Sequence, residues 1–125
     1  MSGEPDLSRH RILVIEDDYF LATDAARALL SAGAIIVGPC PTEGAARAQL
    51  DGERPDAAVV DINLGPGPSF ELAKLLTERG IPFVFLTGYD QQIIPDGFTH
   101  ITRLEKPIQS WQLVEAISRS LGSAP

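Results

Sequence analysis

The stretch Arg11-Ile12-Leu13-Val14-Ile15-Glu16-Asp17-Asp18 places four consecutive apolar residues directly before three acids. A second apolar run, residues 57–60, is followed in the same way by Asp61. Short apolar runs of this kind are typical of buried strands, and neighbouring parallel strands bring their carboxyl ends to one edge of a sheet. The sequence therefore predicts that these carboxylates converge. Such a cluster repels itself unless something positive binds there, and a divalent cation and a phosphoryl group are the first candidates.

Short apolar runs and helical patterns alternate along the rest of the chain. The five candidate strands are residues 11–15, 34–37, 57–60, 82–86 and a weaker 100–104. Apolar residues at three- and four-residue spacing predict helices over 19–32, 42–50, 70–79 and 110–121. This alternation, with right-handed connections, predicts an α/β fold with a doubly wound five-stranded parallel sheet. We expect the flavodoxin-like strand order 2-1-3-4-5, with helices on both faces.

The connection between the fourth and fifth strands carries the weakest helical pattern. Only residues 89–94 could form a helix there. Pro95 and Gly97 would end that helix after about a turn and a half. We therefore expect the helix between these two strands to be short or irregular.

Length and composition indicate one folded domain with protein partners. The chain has 125 residues, 44% of them apolar, which fits a single core at residues 10–122 between disordered tails at 1–9 and 123–125. The net charge of -7 argues against nucleic acid as a partner. Cys40 is the only cysteine, and no apolar N-terminal stretch resembles a signal or membrane segment. We expect a cytoplasmic protein that has no contact with membranes.

Functional side chains follow four of the predicted strands in a definite order. They are Glu16 and Asp17 after the first strand, Asp61 after the third, Thr87 after the fourth, and Lys106-Pro107 after the fifth. This set resembles the receiver domain of response regulators in two-component signalling, and the resemblance covers about residues 11–121. One strand-ending acid is a weak signal, but five matching elements in the correct order are a strong one.

The resemblance implies that Asp61 is a phosphoacceptor and that Mg²⁺ is the cofactor. A carboxylate can attack phosphorus directly, and charge neutralisation supplies most of the catalysis. By the same resemblance, Asp17, Asp61 and the main-chain carbonyl of Asn63 bind the metal, and Glu16 acts through water. Asp18 directly precedes the first helical pattern, so we predict that it caps the helix.

The resemblance also implies roles for the other strand ends and for partners. Lys106 and the hydroxyl of Thr87 would bind phosphoryl oxygens, and the Lys106–Pro107 bond would be cis. The phosphoryl group would come from a histidine kinase or a histidine phosphotransfer protein. The chain would then be a single-domain response regulator, a signalling domain rather than an enzyme, that acts by protein–protein interaction or phosphorelay. The downstream partner is not indicated, and a homodimer stays open.

Three positions bear on how the domain would switch. The first acid is Glu16, where this family frequently has aspartate. Arg103 stands where many receivers carry a Tyr or Phe that turns inward on phosphorylation, so an aromatic switch cannot be assumed there. Tyr89, two residues after Thr87, is an exposed aromatic candidate at the rim of the site.

Two other classes of protein are alternatives. A receiver-like module could bind partners without being phosphorylated, although the complete set of five elements argues against it. An aspartyl phosphatase of the haloacid dehalogenase type also has a strand-ending aspartate as nucleophile. Its chemistry needs a second aspartate as general acid where this chain has Asn63.

Overall fold

The computed structural model describes residues 5–63, 70–88 and 94–122. The strands are β1 (Arg11–Ile15), β2 (Ile35–Cys40), β3 (Ala57–Asp61), β4 (Phe83–Thr87) and β5 (Arg103–Glu105). The helices are α1 (Tyr19–Ser31), α2 (Glu43–Asp51), α3 (Glu71–Glu78) and α4 (Ser110–Gly122). No helix in the described ranges is both long and apolar enough to cross a membrane. Between β4 and β5 the described residues contain one 3₁₀ turn, Asp96–Phe98, and most of the short helix predicted there falls on residues 89–93, outside the described residues.

All five strands are parallel and lie in the order β2-β1-β3-β4-β5, which confirms the predicted fold. The chain leaves the centre of the sheet in one direction through β2 and in the other through β3. The order therefore reverses between β1 and β3, where a crevice forms beyond the carboxyl ends of the strands. Glu16 follows β1 and Asp61 ends β3, so both acids lie at this crevice.

Helices cover both faces of the sheet, which explains why β1, β3 and β4 are almost uniformly apolar. One core layer contains Ala46 and Leu50 of α2 and Leu72, Ala73 and Leu76 of α3. The opposite layer contains Ala25, Ala28 and Leu29 of α1 and Leu113, Ala116 and Ile117 of α4. β3 and β4 contribute to both layers and are buried at every residue. Their buried ends fix where Asp61 and Thr87 lie.

β2 continues three residues beyond the predicted end at Val37, so that prediction was too short. Leu13 pairs with Val37, whereas Ile15 pairs with Cys40, and the extra residue forms a bulge. Gly38 adopts a positive φ of 95°, and a Cβ there would lie 2.7 Å from the amide nitrogen of Cys40. Only glycine fits this position without a shift of the main chain.

β5 starts at Arg103, three residues after the predicted start at His100. The residues before it form a turn that continues from the 3₁₀ segment. The amide of Thr99 donates to the carbonyl of Asp96 at 3.4 Å, and the amide of Ile101 donates to the carbonyl of Phe98 at 3.1 Å. These local bonds occupy the backbone groups that a longer strand would have offered to β4.

Leu7 differs from the expectation of a disordered tail over residues 1–9. Its side chain is 1% exposed and packs in the layer formed by α1 and α4. Its amide donates to the carbonyl of Ala32 at 2.8 Å, and its carbonyl accepts from the amide of His10 at 3.0 Å. The folded domain therefore includes Leu7, because the end of α1 leaves an apolar space that this side chain fills.

Asp18 caps α1, as predicted. Its backbone is extended, with φ -80° and ψ 119°, and its side chain accepts a hydrogen bond from the amide of Leu21 at 3.0 Å. This bond satisfies one of the amides that a helix leaves free in its first turn.

We expect Asp18→Ala to lower the free energy of unfolding by about 1 kcal/mol, because the amide of Leu21 loses its acceptor. Urea unfolding at neutral pH measures this loss. Asp18→Asn is the matched control, since asparagine caps helices equally well and should stay near the native value. Equal stability of the alanine and asparagine variants would contradict a capping role.

Candidate functional site

Three carboxylates meet beyond the ends of β1 and β3. Glu16, Asp17 and Asp61 each offer one oxygen, and these oxygens all lie within 4.8 Å of one another. Glu16 and Asp61 are each only 2% exposed, whereas Asp17 is exposed. The structure thus brings together the three acids that the sequence placed at the strand ends. Two of them are out of reach of bulk water, so their charges need compensation within the site.

Main-chain hydrogen bonds hold the two buried acids in place. Ile15 pairs with Val60 across β1 and β3, which sets Glu16 beside Asp61. One oxygen of Asp61 accepts from the amide of Asn63 at 3.0 Å, and one oxygen of Glu16 accepts from the amide of Asp18 at 3.1 Å. These bonds orient each carboxylate and leave its second oxygen facing the site.

The bulge in β2 supports Glu16 from the other side. The carbonyl of Cys40 accepts a hydrogen bond from the amide of Glu16 at 3.0 Å. The register shift at Gly38 brings Cys40 opposite Ile15 and so makes this bond available. Sequence analysis did not assign this role to Gly38 or Cys40. The Gly38-Pro39 pair was the available signal, because glycine and proline inside a strand pattern often mark a bulge.

Lys106 supplies a cation to both buried acids. Its Nζ lies 2.9 Å from Oε1 of Glu16 and 3.3 Å from Oδ2 of Asp61, and its side chain is 16% exposed. Its amide donates to the carbonyl of Thr87 at 2.8 Å, which ties the end of β5 to the end of β4. The Lys106–Pro107 bond is cis. The lysine therefore enters the crevice from the strand end that the sequence indicated.

Burial raises the pKa of Glu16 to about 7, and the neighbouring carboxyl of Asp61 adds to the rise. Lys106 acts in the opposite direction without cancelling it. For Lys106, burial disfavours the charged ammonium, but the hydrogen bond and charges of Glu16 and Asp61 outweigh it, so its pKa lies above the ordinary value. The raised pKa of Lys106 favours a charged ammonium beside a charged carboxylate. The raised pKa of Glu16 favours the neutral carboxylic acid instead. The second buried carboxylate beside Glu16, that of Asp61, favours the neutral form of Glu16.

Thr87 ends β4, the strand next to Asp61 in the sheet. Asp61 pairs with Leu86 across β3 and β4, so Thr87 stands one residue further toward the crevice, and it is buried. A Cβ added to the next residue, Gly88, would meet the amide nitrogen of the Asn63 side chain at 3.6 Å. The side chain of Asn63 therefore lies close to the end of β4.

Arg103 is not part of this arrangement. Arg103 is exposed on β5 and pairs with Phe85, two positions before the pair formed by Thr87 and Glu105. Arg103 thus lies two positions before the strand end of β5 and is not among the acids. Tyr89 lies outside the described residues.

The donor set fits a magnesium ion. Mg²⁺ prefers oxygen ligands and is usually bound by one or two carboxylates together with waters. Glu16, Asp17 and Asp61 carry up to three negative charges, and Lys106 supplies one positive charge. A divalent cation would balance the excess.

Several solved structures with the same fold are response regulator proteins. No protein-family model and no curated protein sequence matches the chain. A response regulator receiver protein from Sinorhizobium medicae WSM419 is 26% identical, with a TM-score of 0.73 and coverage of 98% of both chains. SdrG from Sphingomonas melonis Fr1 is 29% identical, with a TM-score of 0.73, over 98% of this chain and 97% of that chain. A CheY-like receiver domain protein from Methanospirillum hungatei JF-1 shares the fold at 15% identity, with a TM-score of 0.76 and coverage of 90% and 94%.

Proposed function

We propose that this chain, which has the fold of response regulator receiver domains, accepts a phosphoryl group on Asp61 and signals to other proteins. The observation that carries the proposal is the position of Lys106, whose ammonium lies within 3.3 Å of two buried carboxylates at the crevice between β1 and β3. A buried ion pair of this kind is a costly way to stabilise a fold. It is a suitable arrangement for a charge that develops during phosphoryl transfer.

The proposed reaction is the attack of a carboxylate oxygen of Asp61 on phosphorus. A new O–P bond forms, the P–N bond to the imidazole of a phosphohistidine donor breaks, and the electron pair stays on that nitrogen, which takes up a proton. Little covalent chemistry is left for the protein, so positioning and charge neutralisation do most of the catalysis. The amide of Asn63 orients Asp61 through the 3.0 Å hydrogen bond.

Three groups would stabilise the transferred phosphoryl group. Mg²⁺, held by Asp17, Asp61, the main-chain carbonyl of Asn63 and, through water, Glu16, would neutralise charge on its oxygens. The ammonium of Lys106 is already 3.3 Å from Asp61 and would pair with a second oxygen. The hydroxyl of Thr87, at the end of β4, would donate to a third oxygen.

The phosphoryl donor that fits this site is a histidine kinase or a histidine phosphotransfer protein. The acceptor is consumed stoichiometrically, so the chain acts as a signalling domain with its own phosphorylation and dephosphorylation chemistry. The net charge of -7 disfavours nucleic acid as the receiver of the signal. We propose a cytoplasmic protein that signals through protein–protein contacts or passes the phosphoryl group on.

We expect acetyl phosphate with magnesium to add one stable phosphoryl group to the protein, measured by intact mass. Asp61→Asn should abolish the addition. Asp51→Asn, at the exposed end of α2, is the matched control and should be labelled like the native protein. Continuous release of inorganic phosphate at catalytic rates would instead indicate an aspartyl phosphatase. No reaction in the native protein would indicate a binding module without phosphorylation.

A further inference from the structure

Four phenylalanine rings pack together on one face of β4. We call Phe70, Phe83, Phe85 and Phe98 the phenylalanine cluster. Within β4, the rings of Phe83 and Phe85 lie 5.4 Å apart, centre to centre, in an edge-to-face arrangement. Phe85 also contacts Phe70 at 5.9 Å and Phe98 at 6.2 Å, again edge to face. These are the separations and angles that aromatic pairs prefer. Phe85 therefore touches every other member of the cluster.

The two outer rings of the cluster stand where the chain returns from the site. Phe70 precedes α3, and Phe98 ends the 3₁₀ turn. Their rings are stacked, with centres 6.1 Å apart and an angle of 13° between the planes. Along the sequence, Phe70 follows Asn63 by seven positions and Phe98 follows Gly88 by ten. Phe70 and Phe98, which follow β3 and β4 in the chain, thus pack against each other in the core.

Thr87 lies on the same face of β4 as the cluster. Side chains alternate along a strand, so Phe83, Phe85 and Thr87 project from one face. Phe85 is fully buried, and Thr87 is the next side chain toward the site on that face. Protein cores are close-packed, so a movement of the Thr87 end of β4 has to be accommodated by the ring beside it.

No ring occupies the position on β5 where the family resemblance implied an aromatic switch. Arg103 pairs with Phe85 across β4 and β5, but its side chain is exposed. On this face the ring next to Thr87 therefore comes from β4 itself. The rings in contact with it are Phe83 of the same strand, Phe70 directly before α3 and Phe98 of the 3₁₀ turn.

We propose that the phenylalanine cluster transmits the phosphorylation state of Asp61 from Thr87 to the surface formed by the 3₁₀ turn and the start of α3. The inference rests on the proposed function. When Thr87 moves to bind a phosphoryl oxygen, Phe85 follows, and the stacked pair of Phe70 and Phe98 shifts with it. Asp96 and Glu71 are exposed beside these two rings, so the change reaches groups that a protein partner can contact.

The test uses fluorine NMR of the full chain labelled uniformly with fluorophenylalanine. The chain contains five phenylalanines, of which only Phe20 lies outside the cluster. Single Phe→Leu variants assign the five resonances. Spectra are recorded with magnesium alone and with magnesium plus acetyl phosphate, while intact mass reports phosphorylation of Asp61. We expect the resonances of Phe70 and Phe98 to move on phosphorylation, and Thr87→Val to lose most of that movement at equal phosphoryl occupancy.

A second measurement uses the reciprocity of coupled sites. If the cluster senses the phosphoryl group, weakening the cluster must change the affinity of the site for that group. Phe98→Leu should change the dissociation constant of beryllofluoride, a non-covalent phosphoryl mimic, in the presence of magnesium by roughly five-fold, as measured by isothermal titration calorimetry. The matched control is Leu29→Ala in the opposite core layer, which removes apolar volume without touching the cluster and should leave this dissociation constant unchanged.

The possible results separate the cluster from the proposed function. Phosphorylated protein with unmoved Phe70 and Phe98 resonances would overturn the role of the cluster and leave Asp61 as phosphoacceptor. An equal change of the beryllofluoride dissociation constant in Phe98→Leu and Leu29→Ala would also overturn it, because the effect would then follow stability alone. Absence of phosphorylation in the native protein would refute the proposed function itself.

Discussion

Lys106→Met slows phosphoryl addition to Asp61 from acetyl phosphate by about 100- to 1,000-fold, as expected for the loss of one preorganised donor to developing negative charge. The ammonium lies 3.3 Å from Asp61. The main chain of Lys106 is held in place by the hydrogen bond from its amide to the carbonyl of Thr87. Methionine keeps an unbranched apolar side chain of the length of the lysine stem, and it removes the ammonium with its charge and donors. The rate of mass increase under saturating magnesium measures the effect.

The control for this variant is Lys74→Met on α3. Lys74 is largely exposed and is 3.9 Å from Glu71, so its charge is screened by water and distant from the site. We expect its rate to match that of the native protein. A Lys106→Met rate within a few-fold of the native rate would show that the lysine only compensates the buried acids at rest.

The metal-free protein loses stability as the pH rises from about 5 to about 8. Glu16 titrates near 7 in the folded protein and near 4.5 when it is unfolded. Because its folded pKa is raised, its contribution is complete below pH 4.5 and is lost as the pH rises through about 7. The expected loss is about 3 kcal/mol, since a rise of the pKa from 4.5 to about 7 corresponds to about 1.4 kcal/mol for each pH unit. Urea unfolding in the presence of a chelator, at several pH values, measures it.

Two variants and magnesium test the assignment of this slope to Glu16. Glu16→Gln should flatten it, because the neutral amide has no proton to lose. Glu105→Gln changes an exposed glutamate at the end of β5 and should keep the native slope. Magnesium should raise stability by about 1 kcal/mol at a few times its Kd, and more at pH 8 than at pH 5, because carboxylate ligands bind metal only when deprotonated. A native slope retained in Glu16→Gln would place the titration elsewhere.

The central part of the fold could be predicted because its signals are local. β1, β3 and β4 are continuous apolar runs, and the parallel arrangement sends their carboxyl ends to one edge. That is also why the meeting of Glu16, Asp17 and Asp61 could be predicted before any distance was known. The predicted end of β2 was wrong because the strand passes through Gly38-Pro39, residues that normally end a strand. The predicted start of β5 was wrong because local turn hydrogen bonds precede Arg103.

Features that depend on contacts distant in sequence could not be predicted. Leu7 stands in a polar segment, and only the position of Ala32 shows why it is buried. The raised pKa of Glu16 follows from its burial beside Asp61, which no spacing in the sequence reveals. The phenylalanine cluster joins β4 to two rings, Phe70 and Phe98, that are 28 positions apart in the sequence.

The bulge in β2 also limits how molecules of this protein can associate. β2 is an edge strand at one margin of the sheet, and an unprotected edge strand can pair with a strand of another molecule. Pro39 has no amide hydrogen to donate, and Gly38 turns the backbone out of the extended form. An incoming strand could pair only along residues 35–37 on this side, and β5 offers three residues at the opposite margin. Both margins are therefore poor templates for the intermolecular strand pairing that leads to amyloid-like fibrils.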